Sequence, residues 1–227
     1  MRGGFFGWQA NFLSITIDSQ DNIYVAYSDA GISWKAVVKK FDGTSWTAVG
    51  NEGLSSSYSD VPYFTLDNNE TPYLAYNEGG STNLFVKKFN GEFWQDIGTF
   101  DELGAMRAIV FDANNTPYIA FADSALSYHM TIKKFDGNSW IVVDTEGFTN
   151  VQTLNFMMLM NNGELYVIYG DNNNASKATV RKFDGTSWTI IDMGPLAHNQ
   201  ISTKMLDFTM MNCMFFLKME TNPVMFT

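Results

Sequence analysis

One octapeptide occurs four times. Lys39 to Trp46 reads KKFDGTSW, Lys87 to Trp94 reads KKFNGEFW, Lys133 to Trp140 reads KKFDGNSW and Arg181 to Trp188 reads RKFDGTSW, so tryptophans stand at 46, 94, 140 and 188, spaced by 48, 46 and 48. A second segment precedes each copy: DSQDNIYVAY from Asp18, DNNETPYLAY from Asp67, DANNTPYIAF from Asp112 and MNNGELYVIY from Met160. Two landmarks recurring at a fixed period mark a tandem structural unit. Such a unit cannot bury its apolar face alone and must stack on its neighbours.

Each unit resolves into four short strands. The first holds runs such as Leu13 to Ile17 (LSITI), the second is the Tyr24 to Tyr27 type, the third the Ala36 to Phe41 type, and the fourth the Ser45 to Val49 type. β-branched and aromatic residues fill these runs, Gly, Asn and Asp punctuate them, and no 3.6-residue apolar period persists, so helix is expected to be negligible. The Asn/Asp-rich stretch between the first two strands reads as a turn whose side chains cap backbone N–H groups. Between the third and fourth strands, Asp42-Gly43, Asn90-Gly91, Asp136-Gly137 and Asp184-Gly185 predict two-residue type I′ hairpins with positive φ at both central residues.

Repeated four-stranded units are the pattern of an all-β propeller, with a sandwich as the alternative. The 227 residues read as one domain with blades at about 12–60, 61–105, 106–153 and 154–200. A fifth blade is expected from 201–227, with 1–11 as a candidate contributor, giving five blades of period about 47 residues. That fifth blade is expected to be composite or incomplete. Its segment lacks the FDGxSW hairpin, and seven of the 13 methionines (193, 205, 210, 211, 214, 219 and 225) fall in the last 35 residues. A fragment of a longer repeat array is the other reading of this end.

The motifs KKFDGTSW, DANNTPYIAF and TAVGNEGL (47–54) resemble the tandem repeats of bacterial secreted and cell-surface β-propeller proteins, over Phe12 to about Asp192. The five-unit layout is similar to that of tachylectin-2-type five-bladed lectins. The resemblance implies an extracellular or cell-surface setting and, for the lectins, one sugar site per blade, although no sugar-contacting residue of that family maps onto this chain. FDGTSW also resembles the sialidase Asp box. That motif places a residue between Asp and Gly, whereas Asp42 and Gly43 are adjacent, and the chain has only Arg2, Arg107 and Arg181 for an arginine cluster.

Composition narrows the partners. With 14 basic against 24 acidic residues the formal charge is -10, which disfavours a nucleic-acid partner because phosphate neutralisation needs a basic surface. A single cysteine, Cys213, excludes an internal disulfide and a Cys-rich zinc site, and two histidines, His129 and His198, offer little to a metal. No metal or cofactor is expected. The N-terminus lacks the pattern of a signal peptide, and the apolar run from Cys213 to Leu217 falls far short of the roughly 20 residues that span a bilayer, so no membrane span is expected. Compartment and oligomeric state stay open.

The four repeated tryptophans and Phe41, Phe89, Phe135 and Phe183 read as cross-strand packing pairs. Eight of the 14 basic residues (39, 40, 87, 88, 133, 134, 181 and 182) form a ring of pairs whose stems cover apolar surface, with an anion-binding belt for acidic glycans as the alternative. Trp8 and Trp34 lie outside the repeat and are candidates for a ligand platform. Asp18, Asp67 and Asp112 are candidate ligand-binding carboxylates; they lack calcium-loop spacing, and Met160 stands at the equivalent place in the fourth unit. HExxH, GxSxG and phosphate-binding glycine loops are all missing. The expectation is therefore a non-enzymatic binding or scaffolding propeller, with glycans at repeated inter-blade sites as the concrete ligand. A protein-interaction platform is the alternative. A glycan-active hydrolase is the third reading, and it calls for an acidic cluster with arginine in the central channel.

Overall fold

The period-2 alternation of each run lets one sheet face meet the next blade, and the chain takes that option four times. The computed structural model describes residues 8–79, 83–100, 107–153, 156–175 and 177–191. The first sheet is β1 (Ala10–Ile17), β2 (Ile23–Asp29), β3 (Lys35–Phe41) and β4 (Trp46–Ala48). The second is β5 (Ser59–Leu66), β6 (Pro72–Glu78), β7 (Leu84–Phe89) and β8 (Trp94–Phe100). The third is β9 (Arg107–Phe111), β10 (Pro117–Asp123), β11 (His129–Phe135) and β12 (Trp140–Val142). The fourth is β13 (Phe156–Asn161), β14 (Glu164–Asp171), β15 (Lys177–Phe183) and β16 (Trp188–Ile191). Every sheet is an antiparallel meander with its strands in chain order. Among the described residues, helix is confined to three single 3₁₀ turns between second and third strands.

The first strands of successive sheets lie against one another, so they face inwards and the molecule is a β-propeller. The turn after each first strand and the hairpin after each third strand emerge on one face of the disc, here the turn face. The links between second and third strands emerge on the opposite face. The expected fifth blade falls on residues outside the described ones.

Cores form between blades. Ala36, Val38 and Val49 of the first blade meet Phe64, Leu74 and Tyr76 of the second. Leu84, Val86 and Phe100 meet Ile109, Ile119 and Phe121, and Met130, Ile132 and Phe148 meet Phe156, Leu165 and Tyr169. The repeated tryptophans do two jobs. Each pairs with the phenylalanine across its hairpin, with ring centroids 5.1 Å apart for Phe41–Trp46 and 5.4 Å for Phe89–Trp94. Two of them also bolt a blade to its predecessor, since Trp94 Nε1 donates to Val49 O at 2.7 Å and Trp140 Nε1 to Ile97 O at 2.9 Å.

The Asp-Gly hairpins are not the expected two-residue type. Phe41 pairs with Trp46, leaving a four-residue loop in which Gly43 alone has positive φ, at 89°. The Asp42 carboxylate accepts from the backbone N–H of Thr44 (2.9 Å) and Ser45 (2.8 Å), and this side-chain capping selects the longer loop. The two-residue form occurs instead at Asn162-Gly163, where Asn161 pairs with Glu164 and both central φ values are positive, 50° and 81°.

Candidate functional site

On the turn face each blade begins its second strand with a carboxylate, a tyrosine and an ammonium group from the third strand. In the first blade they close on one another. Asp18 Oδ1 accepts from the N–H of Gln20 (3.0 Å) and Asn22 (2.9 Å). Its Oδ2 accepts from Asn22 Nδ2 (2.8 Å) and the Tyr24 hydroxyl (3.2 Å), with Lys40 Nζ 3.6 Å away. Burial alone would raise the Asp18 pKa; the bonds from Asn22, Gln20 and Tyr24 outweigh it and hold the carboxyl at about 2.

The fourth blade closes the same arrangement from a different position. Met160 replaces the aspartate, but Glu164, across the two-residue hairpin, accepts from the Tyr166 hydroxyl (2.6 Å) and from Lys182 Nζ (3.0 Å). Those two bonds, Tyr166 foremost, lower its pKa. Sequence reasoning missed Glu164. Its signal was the Asn-Gly pair, which shortens the turn and brings the following residue to the vacated place.

In the second and third blades the same residue types are present but stay apart. Asp67 Oδ1 accepts from Asn69 N and Thr71 N, and Asp112 Oδ1 from Asn114 N and Thr116 N, all at 2.9 Å. Among the described residues no ion pair joins Asp67 to Lys88 or Asp112 to Lys134, in contrast to Asp18–Lys40 and Glu164–Lys182. Lys88 Nζ lies 5.5 Å from the centre of the Tyr73 ring, a contact that Lys40 also makes with Tyr24 at 5.2 Å. Neighbouring turns interlock: Ser19 N donates to Glu70 Oε1 (2.6 Å), Asn68 N to Asn115 Oδ1 (2.9 Å) and Asn68 Nδ2 to Asp112 O (2.7 Å).

A cleft of about 540 Å³ opens over these two blades, within the range of small-molecule sites. Tyr73, Lys88 and Ile97 line it from the second blade. Asp112, Asn114, Asn115, Tyr118, Lys134, Asp136 and Ile141 line it from the third. It therefore runs outwards, from the inner turn that carries Asp112 to the hairpin that carries Asp136. Asp136 Oδ1 accepts from Ser139 N (2.8 Å) and Asn138 N (2.9 Å), bonds that keep its carboxyl below the usual range. It is ionised at neutral pH.

Of the five residues singled out in the sequence, Asp112 lines the cleft. Asp18 and Asp67 are buried in the turns of the first and second blades. Trp8 and Trp34 lie on the opposite face. Trp8 is 71% exposed and lies flat on Gly31, where a Cβ would come within 2.2 Å of its Cδ1. Trp34 is half-buried with φ 61°; its N–H donates to Asp29 O (2.7 Å) and its carbonyl accepts from Ser59 N (2.8 Å), latching the first blade to the second. Tyr128 does the same with Asp123 and Thr153. No three His, Cys, Asp or Glu side chains gather as a metal site among the described residues, and no helix there is long and apolar enough to cross a membrane.

No protein-family model and no curated protein sequence matches the chain. Solved structures do. An exo-β-1,3-galactanase from Phanerochaete chrysosporium, solved with β-1,3-galactotriose, superposes with a TM-score of 0.52 at 15% identity, covering 82% of this chain and 50% of that one. An exo-β-1,3-galactanase from Clostridium thermocellum gives 0.51 at 12% identity, over 83% and 49%. The Bacteroides ovatus xyloglucan PUL protein GH43B gives 0.50 at 12%, over 86% and 43%. The chain thus spans about half the length of these structures, and at such identity the likeness establishes a shared fold.

These neighbours run against the expectation of a non-enzymatic binding or scaffolding module and of a chain that is no enzyme: the propellers on which it superposes include exo-β-1,3-galactanases. The physical reason lies in the chemistry used to exclude catalysis. HExxH and GxSxG mark reactions whose metal ligands or nucleophile sit close together in sequence. Glycoside hydrolysis needs only carboxylates facing each other across a sugar, drawn from separate turns, and leaves no local motif.

Proposed function

We propose that the protein is a glycan-active hydrolase, with the cleft between the second and third blades as its site and Asp112 and Asp136 as its two carboxylates. The observation that carries this reading is the presence of both carboxylates in one sugar-sized cleft, on a fold shared with glycan-cleaving enzymes. Hydrolysis of a glycosidic bond uses one carboxylic acid to protonate the leaving oxygen and one carboxylate to act as base or nucleophile. Asp136, held ionised by two backbone donors, suits the second role. Asp112, whose Oδ1 accepts from Asn114 N and Thr116 N, is the other carboxylate of the cleft and takes the remaining role of proton donor to the leaving oxygen. Half-buried Tyr118 offers an aromatic ring against which a sugar can pack, and the exposed Asn114 amide offers a donor and an acceptor to hydroxyl groups.

The test is release of monosaccharide from β-1,3-galactotriose and from a panel of other oligosaccharides. Asp112→Asn and Asp136→Asn should each lower the rate by roughly 10²-fold or more while leaving the fold intact by circular dichroism. Full activity in both variants, or no cleavage of any glycan by the unaltered chain, would remove the reading.

A further inference from the structure

We infer that the cleft selects a sugar residue carrying an anionic group, a carboxylate or a sulfate ester, and that Lys88 and Lys134 recognise it. The inference rests on the cleft being the glycan site proposed above. It starts from a difference among equivalent positions. Lys40 and Lys182 are committed to carboxylates of their own blades, Asp18 at 3.6 Å and Glu164 at 3.0 Å. Lys88 and Lys134 occupy the same place in the second and third blades, line the cleft, and have no ion-pair partner among the described residues. Asp67 and Asp112 cap their turns through Oδ1 as Asp18 does, but among the described residues neither makes the further contact through Oδ2 that joins Asp18 to Lys40. The repeat thus provides ammonium groups at four positions and leaves two of them without a carboxylate partner among the described residues, both at the one cleft.

Position and rigidity favour a ligand over bulk solvent as the intended partner. Lys88 is held over the Tyr73 ring, which fixes its ammonium at the cleft wall before anything binds. The chain carries a formal charge of -10, so its long-range field repels an anionic polymer. Recognition must then be local, and two ammonium groups on opposite walls of one cleft supply it. Attraction of this kind weakens as salt rises.

Titration calorimetry on the full chain, with Asp112→Asn used alongside it so that hydrolysis does not interfere, tests the inference. The probes are β-1,3-galactotriose, a matched trisaccharide ending in a uronic acid, and one bearing a 6-sulfate. The expected result is that at least one acidic probe binds about tenfold more tightly than the neutral one at low salt, with the margin shrinking as salt is added. Lys88→Met and Lys134→Met keep the apolar stem and remove the charge; each should cost most of that margin, read as the ratio of acidic-probe to neutral-probe affinity in the same variant. Lys177→Met, on the opposite face, should change nothing. The uronate and sulfate arms identify which anion is read. Equal affinity for neutral and acidic probes, or a margin that survives both cleft substitutions, would overturn the inference. An acidic preference without any hydrolysis would instead remove only the catalytic reading.

Discussion

Asp18 shows how one carboxylate can be a turn former, a charge partner and a stability element together. Its folded pKa, near 2, lies below the unfolded value near 3.9, so its stabilisation is present above about pH 4 and is lost as pH falls through 2. Asp18→Asn should therefore cost about 2 kcal/mol in denaturant unfolding at pH 7, and the gap between variant and parent should close as the acid limb is followed to pH 2. The Asp-x-x-x turns were legible in the sequence because Asp at that place is what a capping turn demands. The roles of the carboxylates were not. Asp136 was hidden inside a hairpin motif, and Glu164 replaces Asp18 from a position four residues along from Met160, a substitution only the fold can align.

At the scale of the strand and hairpin, alternation made the four-strand unit readable, and its failure came where side chain and backbone compete. Asp42 and its equivalents accept from two following N–H groups, which lengthens a loop that dipeptide preference alone would have made short. The tryptophans that bolt blades together, Trp94 and Trp140, each stand against a glycine of the preceding blade, Gly50 and Gly98. At Gly98 a Cβ would come within 2.4 Å of Trp140 Nε1 and 2.5 Å of Cδ1, so the indole reaches Ile97 O only because no side chain stands there. Gly98→Ala should displace the ring, break that bond and lower stability by about 1 to 3 kcal/mol. Thermal unfolding and the indole N–H resonance of Trp140 would report the two effects separately.

Across the whole molecule the repeat made the propeller legible, because identical packing needs leave identical sequence, whereas the cleft arises where repeats differ. It lies where, among the described residues, blades two and three lack the lysine–carboxylate pairs that blades one and four make. A second asymmetry lies at the joint between blades three and four. The place held by Gly50 (φ 72°) and Gly98 is taken there by Asp144, at φ 67°, in a conformation that disfavours a side chain. Trp188 stacks instead on Phe148, with centroids 4.3 Å apart, and its buried Nε1 has no partner among the described residues. Asp144→Gly should relieve about 1 kcal/mol of backbone strain and let the indole reach Val143 O, seen as slower amide exchange in β14 and β15. In the unaltered chain the disc behaves as a row of hinges of unequal stiffness. One stiff joint lies between the two blades that frame the cleft and the other just before them, while the loose one follows the third blade, so the spacing of the cleft walls is set by an indole bond that the next joint lacks.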